Sequence, residues 1–232
     1  MIRSDRVLKG LPELYQMDRW LEQDNLPAKV HTLAAVETGK DCLPLYCFEL
    51  GNPDPATPTV IFSGGVHGVE RIGTQVILAY MNTLFNRLDW DESLDSLLQR
   101  VRILFVPLIN PVGMLKRRRS NINGVDLMRN APIQAQERSA FLLGGQRISP
   151  RLPWYTGDPE QGMEPENLAL EAVIKQLLPG RPFSVALDCH SGFGMQDQIW
   201  FPYAYRRRPM RRVASVMALK LIWEQSYPNH DY

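Results

Sequence analysis

The stretch Thr59-Val60-Ile61-Phe62-Ser63-Gly64-Gly65-Val66-His67-Gly68-Val69-Glu70 runs from an apolar segment through a glycine-rich turn toward a helix. Thr59 to Ser63 has the length and composition of a buried strand. Gly64, Gly65 and Gly68 let the backbone turn tightly after it, so His67 and Glu70 can face one point. Beyond the turn, Ile72, Val76, Ile77, Ala79, Tyr80, Leu84 and Phe85 recur at helical spacing and predict a helix over 71–88. A strand, a turn and a helix in succession make one unit of an α/β sheet.

The same punctuation repeats outward. Val101 to Leu108 reads as a buried strand that ends at the turn Asn110-Pro111-Val112-Gly113. Residues 183–187 read as a third, buried strand and 44–50 as a fourth, the latter closed by Gly51-Asn52-Pro53-Asp54-Pro55. Helices are expected over 166–178, opened by Glu164-Pro165, and over 209–226. An amphipathic helical segment is expected near 9–25, through Leu11, Leu14, Tyr15, Met17, Trp20 and Leu21. Residues 131–163 are Pro- and Gly-rich and predict a long surface segment of the kind that often shapes a site. The 232 residues suit one domain. The expected architecture is α/β, a mixed, open, twisted sheet flanked by helices, with its site outside the carboxyl ends of strands.

A third candidate ligand stands after the 183–187 strand, in Leu187-Asp188-Cys189-His190-Ser191-Gly192. His67, Glu70 and His190 together offer two imidazoles and a carboxylate. That is the ligand set of a catalytic zinc with one position open to water. A zinc-bound water ionises near neutral pH and attacks carbonyls, so the triad points to a hydrolase with one zinc per chain. Asp188 is placed to orient a ligand from behind. His31 and His230 have no such context. Cys189 and His190 are adjacent on a strand and point to opposite faces, which argues against a thiol dyad. Neither a Gly-x-Ser-x-Gly elbow nor a phosphate-binding glycine loop is present.

Composition narrows the partners. Net charge is +1, so neither nucleic acid nor membrane is expected as a partner, despite Lys116-Arg117-Arg118-Arg119. A second basic cluster, Arg206-Arg207-Arg208 with Arg211 and Arg212, is expected to be a surface patch. The first ten residues lack the apolar core of a signal peptide. Cys42, Cys47 and Cys189 are odd in number and irregularly spaced, as for reduced thiols. The expected compartment is the cytoplasm.

Five stretches, in order, resemble the zinc carboxypeptidase family (the M14 metallopeptidases, including the succinylglutamate desuccinylase and aspartoacylase branch). They are residues 65–70, Asn110-Pro111-Val112-Gly113, Asn123-Gly124-Val125-Asp126-Leu127-Met128-Arg129-Asn130, Glu164-Pro165-Glu166 and Asp188-Cys189-His190-Ser191-Gly192. The resemblance implies the zinc-carboxypeptidase-like fold (phosphorylase/hydrolase-like) and assigns His67, Glu70 and His190 to zinc. It implies that Arg119 polarises the scissile carbonyl, with Arg118 the competing choice within the run. It implies that Arg129 holds a substrate carboxylate. The implied substrates are a peptide or, in the alternative branch, an N-acyl amino acid.

Two departures accompany the resemblance. Where the family has an Asn-Arg pair, this chain has Met128-Arg129, and a thioether cannot replace the amide's polar contacts. The family's general-base glutamate is expected well beyond the third ligand, yet residues 191–232 contain only Glu224, within a helical pattern. The chain is therefore expected to be an incomplete version of a longer protein, short of C-terminal strand structure, with a formed metal site and weak catalysis.

Overall fold

The computed structural model describes residues 4–137, 144–192, 197–201 and 203–227. Five strands form one sheet: β1 (Lys29–Thr38), β2 (Asp41–Gly51), β3 (Thr59–Gly64), β4 (Arg102–Val106) and β5 (Ser184–Cys189), in the order β1-β2-β4-β3-β5. β1 pairs antiparallel with β2, and β2 antiparallel with β4. β3 pairs parallel with both β4 and β5. The sheet is mixed, as expected.

Helices cover both faces. α1 (Asp5–Gly10), α2 (Pro12–Leu21), α3 (Arg71–Leu88) and α4 (Glu92–Leu98) precede β4; α5 (Pro111–Leu115), α6 (Pro165–Leu177) and α7 (Val213–Ser226) follow it. The period-two alternation of a strand divides the core. Phe48, Ile103 and Phe105 join Leu14, Met17, Trp20, Met81 and Phe85 on one face. Cys47, Leu104 and Val106 join Ile61, Leu127 and Val173 on the other. Trp20 stands edge-on to both Phe48 and Phe85, with ring centroids 6.0 Å and 5.1 Å away. β4 is buried along its whole length because it lies mid-sheet with both faces covered.

Several local readings change. The segment expected as one helix near 9–25 is two helices that meet at Leu11. The break follows from Pro12, which disfavours helical backbone at the residue before it and starts α2 in the first turn. β1 was not expected. It is an edge strand in which only Val36 and Thr38 are buried, so little apolar alternation marks it. α4 was also not expected; Asp91 caps it by accepting from Ser93 and Leu94 amides. Asn110-Pro111-Val112-Gly113 does not form a simple turn. Asn110 caps α5 by accepting from the Gly113 amide at 2.8 Å. Among the described residues, no helix is long and apolar enough to cross a membrane.

Candidate metal centre

β4, β3 and β5 are neighbours and run in one direction, so their C-terminal ends open on the same edge of the sheet. The turn after β3 carries His67 and Glu70. The segment after β4 carries Arg119, Asp126 and Arg129. β5 carries Asp188 and leads directly to His190.

Buried Asn110 ties the first two segments together. Its side-chain amide donates to the carbonyls of Val66 at 3.2 Å and Arg119 at 3.4 Å. The Asn110 backbone amide donates to Gly65, and the Gly68 amide donates to Arg119. Gly68 permits this approach. A Cβ there would lie 2.0 Å from the Gly113 carbonyl carbon. α3 approaches β5 just as closely at Gly73, where a Cβ would lie 2.0 Å from the Cys189 carbonyl oxygen.

His67, Glu70 and His190 each offer a ligand atom, and these atoms lie within 4.8 Å of one another. His67 is only 2% exposed. Its Nδ1 meets Glu70 Oε1 at 2.8 Å and its Nε2 meets Asp126 Oδ1 at 3.2 Å. The His67 and His190 rings stand edge-on, with centroids 5.0 Å apart. His190 Nδ1 lies 2.8 Å from Asp188 Oδ2, and Asp188 Oδ1 accepts from the Ser63 hydroxyl at 3.2 Å. Glu70 Oε2 accepts from the Ser191 amide at 3.3 Å.

The electrostatics follow from this enclosure. Burial alone would raise the Asp126 pKa, but His67, Arg129 and Arg119 outweigh it and hold the carboxyl at about 2. Burial likewise opposes the charge on Glu70, and His67 overcomes it, so that pKa is lowered. For His67, burial favours the neutral ring, but hydrogen bonds to Asp126 and Glu70 prevail and raise its pKa. Two imidazoles and an ionised carboxylate, each imidazole backed by a further carboxylate, form a donor set that fits zinc.

The arginines separate. Arg117 adopts a left-handed backbone (φ 52°) that redirects the chain between its neighbours. Arg118 turns away, and its Nη2 donates to the Asn121 carbonyl. Arg119 faces the site. Its Nη1 donates to Glu70 Oε1 at 3.2 Å and its Nε to Asp126 Oδ2 at 3.1 Å. Arg129 Nη1 donates to Asp126 Oδ2 at 2.7 Å, and the guanidinium carbon lies 5.6 Å from the Trp154 ring centroid. Trp154 itself holds a left-handed backbone (φ 61°), a rare state for a bulky residue. Met128 is 48% exposed beside Arg129.

Sequence reasoning gave Asp126 no role, although it joins His67, Arg119 and Arg129. Its signal was an acid inside the quoted Asn-Gly-Val-Asp stretch. His31 lies elsewhere, paired with Glu49 at 2.8 Å on β1 and β2. His230 lies outside the described residues. Cys42, Cys47 and Cys189 form no disulfide among the described residues.

The sequence model of the zinc carboxypeptidase family matches residues 33–231. The chain belongs to the zinc carboxypeptidase family. Within the family, it is 27% identical to human carboxypeptidase D over 177 residues, which is 76% of this chain and 11% of that protein. It is 27% identical over 156 residues to the inactive metallocarboxypeptidase ECM14 of Ajellomyces capsulatus, covering 63% of this chain and 26% of that protein. Carboxypeptidase A from Helicoverpa armigera shares the fold, with a TM-score of 0.70 at 18% identity over 94% of this chain and 53% of its own. This zinc carboxypeptidase family chain thus spans about a tenth to a quarter of those two curated relatives. α1 and α2 precede the matched residues.

Proposed function

We propose that the protein is a zinc-dependent hydrolase that cleaves the C-terminal amide bond of peptides. The convergence of His67, Glu70 and His190 from two strand ends, within 4.8 Å, carries this reading. Zinc held there would supply an activated water and a Lewis acid for the carbonyl. Arg119, already donating to Glu70, is the group positioned to hydrogen-bond the developing oxyanion. Arg129, braced between Asp126 and Trp154, is suited to a bidentate hold on a substrate carboxylate.

Met128 favours a second reading, an N-acyl amino acid deacylase. It removes an amide partner beside Arg129 and leaves an exposed thioether instead. Similarity to the inactive metallocarboxypeptidase ECM14 of Ajellomyces capsulatus supports a third, a metal-binding protein with little turnover.

Elemental analysis of the wild type beside His190→Ala tests the metal, and a substrate panel then separates the readings. Near-stoichiometric zinc lost in the variant, with cleavage of free-acid peptides but not their C-terminal amides, is the expected result. Little zinc in both proteins would overturn all three readings. Zinc with turnover of N-acyl amino acids alone would favour the second, and zinc with no turnover the third.

A further inference from the structure

α3 begins under an electrostatic conflict. Its N-cap residue is Glu70, yet no side chain caps the helix, because the Glu70 carboxylate is spent on His67, Arg119 and the Ser191 amide. An acid at this position would ordinarily satisfy the free amides and the positive end of the helix dipole. The first turn contains no acidic residue and opens instead with a cation, Arg71. A positive charge there opposes the dipole.

Glu13 of α2 resolves the conflict from another helix. It is 3% exposed and binds the Arg71 guanidinium through both oxygens, Nε to Oε1 at 2.9 Å and Nη2 to Oε2 at 2.6 Å. The same Nη2 donates to the carbonyl of Gly10, the last residue of α1, at 2.8 Å. Gln75, one turn along α3, donates to Glu13 Oε1 at 3.1 Å. Glu13 therefore spans the first turn of α3, and Arg71 joins that turn to the α1–α2 junction. A buried ion pair is a weak source of net stability, so stability alone is a poor account of this one. Its location offers a better account. The Cα of Arg71 is one trans peptide, about 3.8 Å, from that of Glu70.

We infer that Glu13 is a positioning residue for the metal ligand Glu70. Through Arg71 it fixes the start of α3 while the Glu70 carboxylate is committed to the site. Glu13 lies in α2, ahead of the residues that the family's sequence model matches, whereas Arg71 lies within them. The inference rests on His67, Glu70 and His190 being the zinc site proposed above.

The test compares the wild type with Glu13→Gln and with Leu14→Ala, a fully buried neighbour on the same helix. Zinc dissociation constants come from competition with a chromophoric chelator on folded protein. Cobalt substitution gives the d–d spectrum of the site. Glu13→Gln is expected to weaken zinc by roughly 10-fold, the low end for residues behind a ligand, and to alter the cobalt bands. Leu14→Ala is expected to lower Tm while keeping the wild-type zinc affinity and spectrum. If Glu13→Gln fails to fold, Arg71→Lys carries the same expectation, since it keeps the charge but loses the fork. Wild-type zinc affinity in the Glu13 or Arg71 variant overturns the role of Glu13 alone. An equal loss in Leu14→Ala also overturns it, because the effect would then track stability. Absence of zinc from the wild type overturns the site and this inference together.

Discussion

Gly73 of α3 stands against the carbonyl of Cys189 at the end of β5, with no room between them for a Cβ. That contact sets the distance between Glu70, three residues earlier, and His190, one residue later. Gly73→Ala is expected to push α3 away from β5 and cost about 1–3 kcal/mol as an overpacking change. It should also move Glu70 away from His190. Chelator competition should show weaker zinc binding in this variant than in an alanine variant on the exposed side of α3, such as Asn82→Ala.

Asp126 carries the support of the site. Its carboxylate meets His67, Arg119 and Arg129, and is 3% exposed. Asp126→Asn keeps the shape but drops the charge, and should weaken zinc by about 10–100-fold. Asp126→Ala should further destabilise the fold by about 3–5 kcal/mol, because the arginines lose a buried counter-charge. Zinc titration and urea denaturation read the two effects separately.

Arg118 and Arg119 are adjacent but should behave differently. In steady-state hydrolysis of a free-acid peptide, Arg119→Ala should lower kcat by about 10²–10³-fold, the loss typical of one oxyanion donor. Arg118→Ala should leave kcat near the wild-type value and act on stability, through the Asn121 carbonyl that Arg118 holds. Equal losses in kcat would refute the geometric distinction.

The β1–β2–β4 region should show a separate pH dependence. Burial alone would raise the Glu49 pKa, but His31 and Arg102 outweigh it and hold the carboxyl below its ordinary 4.5. A depressed acid stabilises the fold above its unfolded pKa and loses that contribution as pH falls through the folded one. The urea midpoint should therefore drop as pH is lowered below about 5, and Glu49→Gln should flatten the drop. At pH 7 the same variant should cost about 3–5 kcal/mol, because Arg102, 5% exposed, keeps its charge without its partner.

Glu166 should respond in the opposite sense. It is 1% exposed and accepts from the Asn121 amide, and burial together with nearby Glu164 raises its pKa. Stability is then lost as pH rises through the Glu166 titration. Glu166→Gln should raise the urea midpoint at pH 8 relative to wild type, and the difference should shrink near pH 4.

The interior of the sheet was legible in the sequence because burial on both faces leaves continuous apolar text. β3 and β4 were expected on that ground, and α3 from its helical spacing; β5 also reads as a buried strand, yet it is an edge strand whose residues are exposed or half-buried. β1 was not expected, since little apolar alternation marks it. α4 is too short for its periodicity to stand out. In the site, the ligand types were readable from two short motifs, but the side chains behind them were not. Asp126 reads as any acid in a turn until folding lays it beside His67. Glu13 sits in an amphipathic helix, where a charged residue suggests the solvent face. Its burial depends on Arg71, 58 positions away. The choice between Arg118 and Arg119 depended on the backbone at Arg117, which four consecutive basic residues cannot encode.

The parallel pairing of β3 with β5 also bears on kinetics. β3 ends at Gly64 and β5 begins at Ser184, so their contact closes a very long loop. Such pairings carry a high entropic cost and form slowly. His67 and His190 sit just beyond the ends of those two strands. An ion shared between them would act as a cross-link across that loop, present only after the last long-range contact has formed. Its presence should then be felt mainly in the unfolding rate, making zinc a clasp that governs how long the native sheet stays closed.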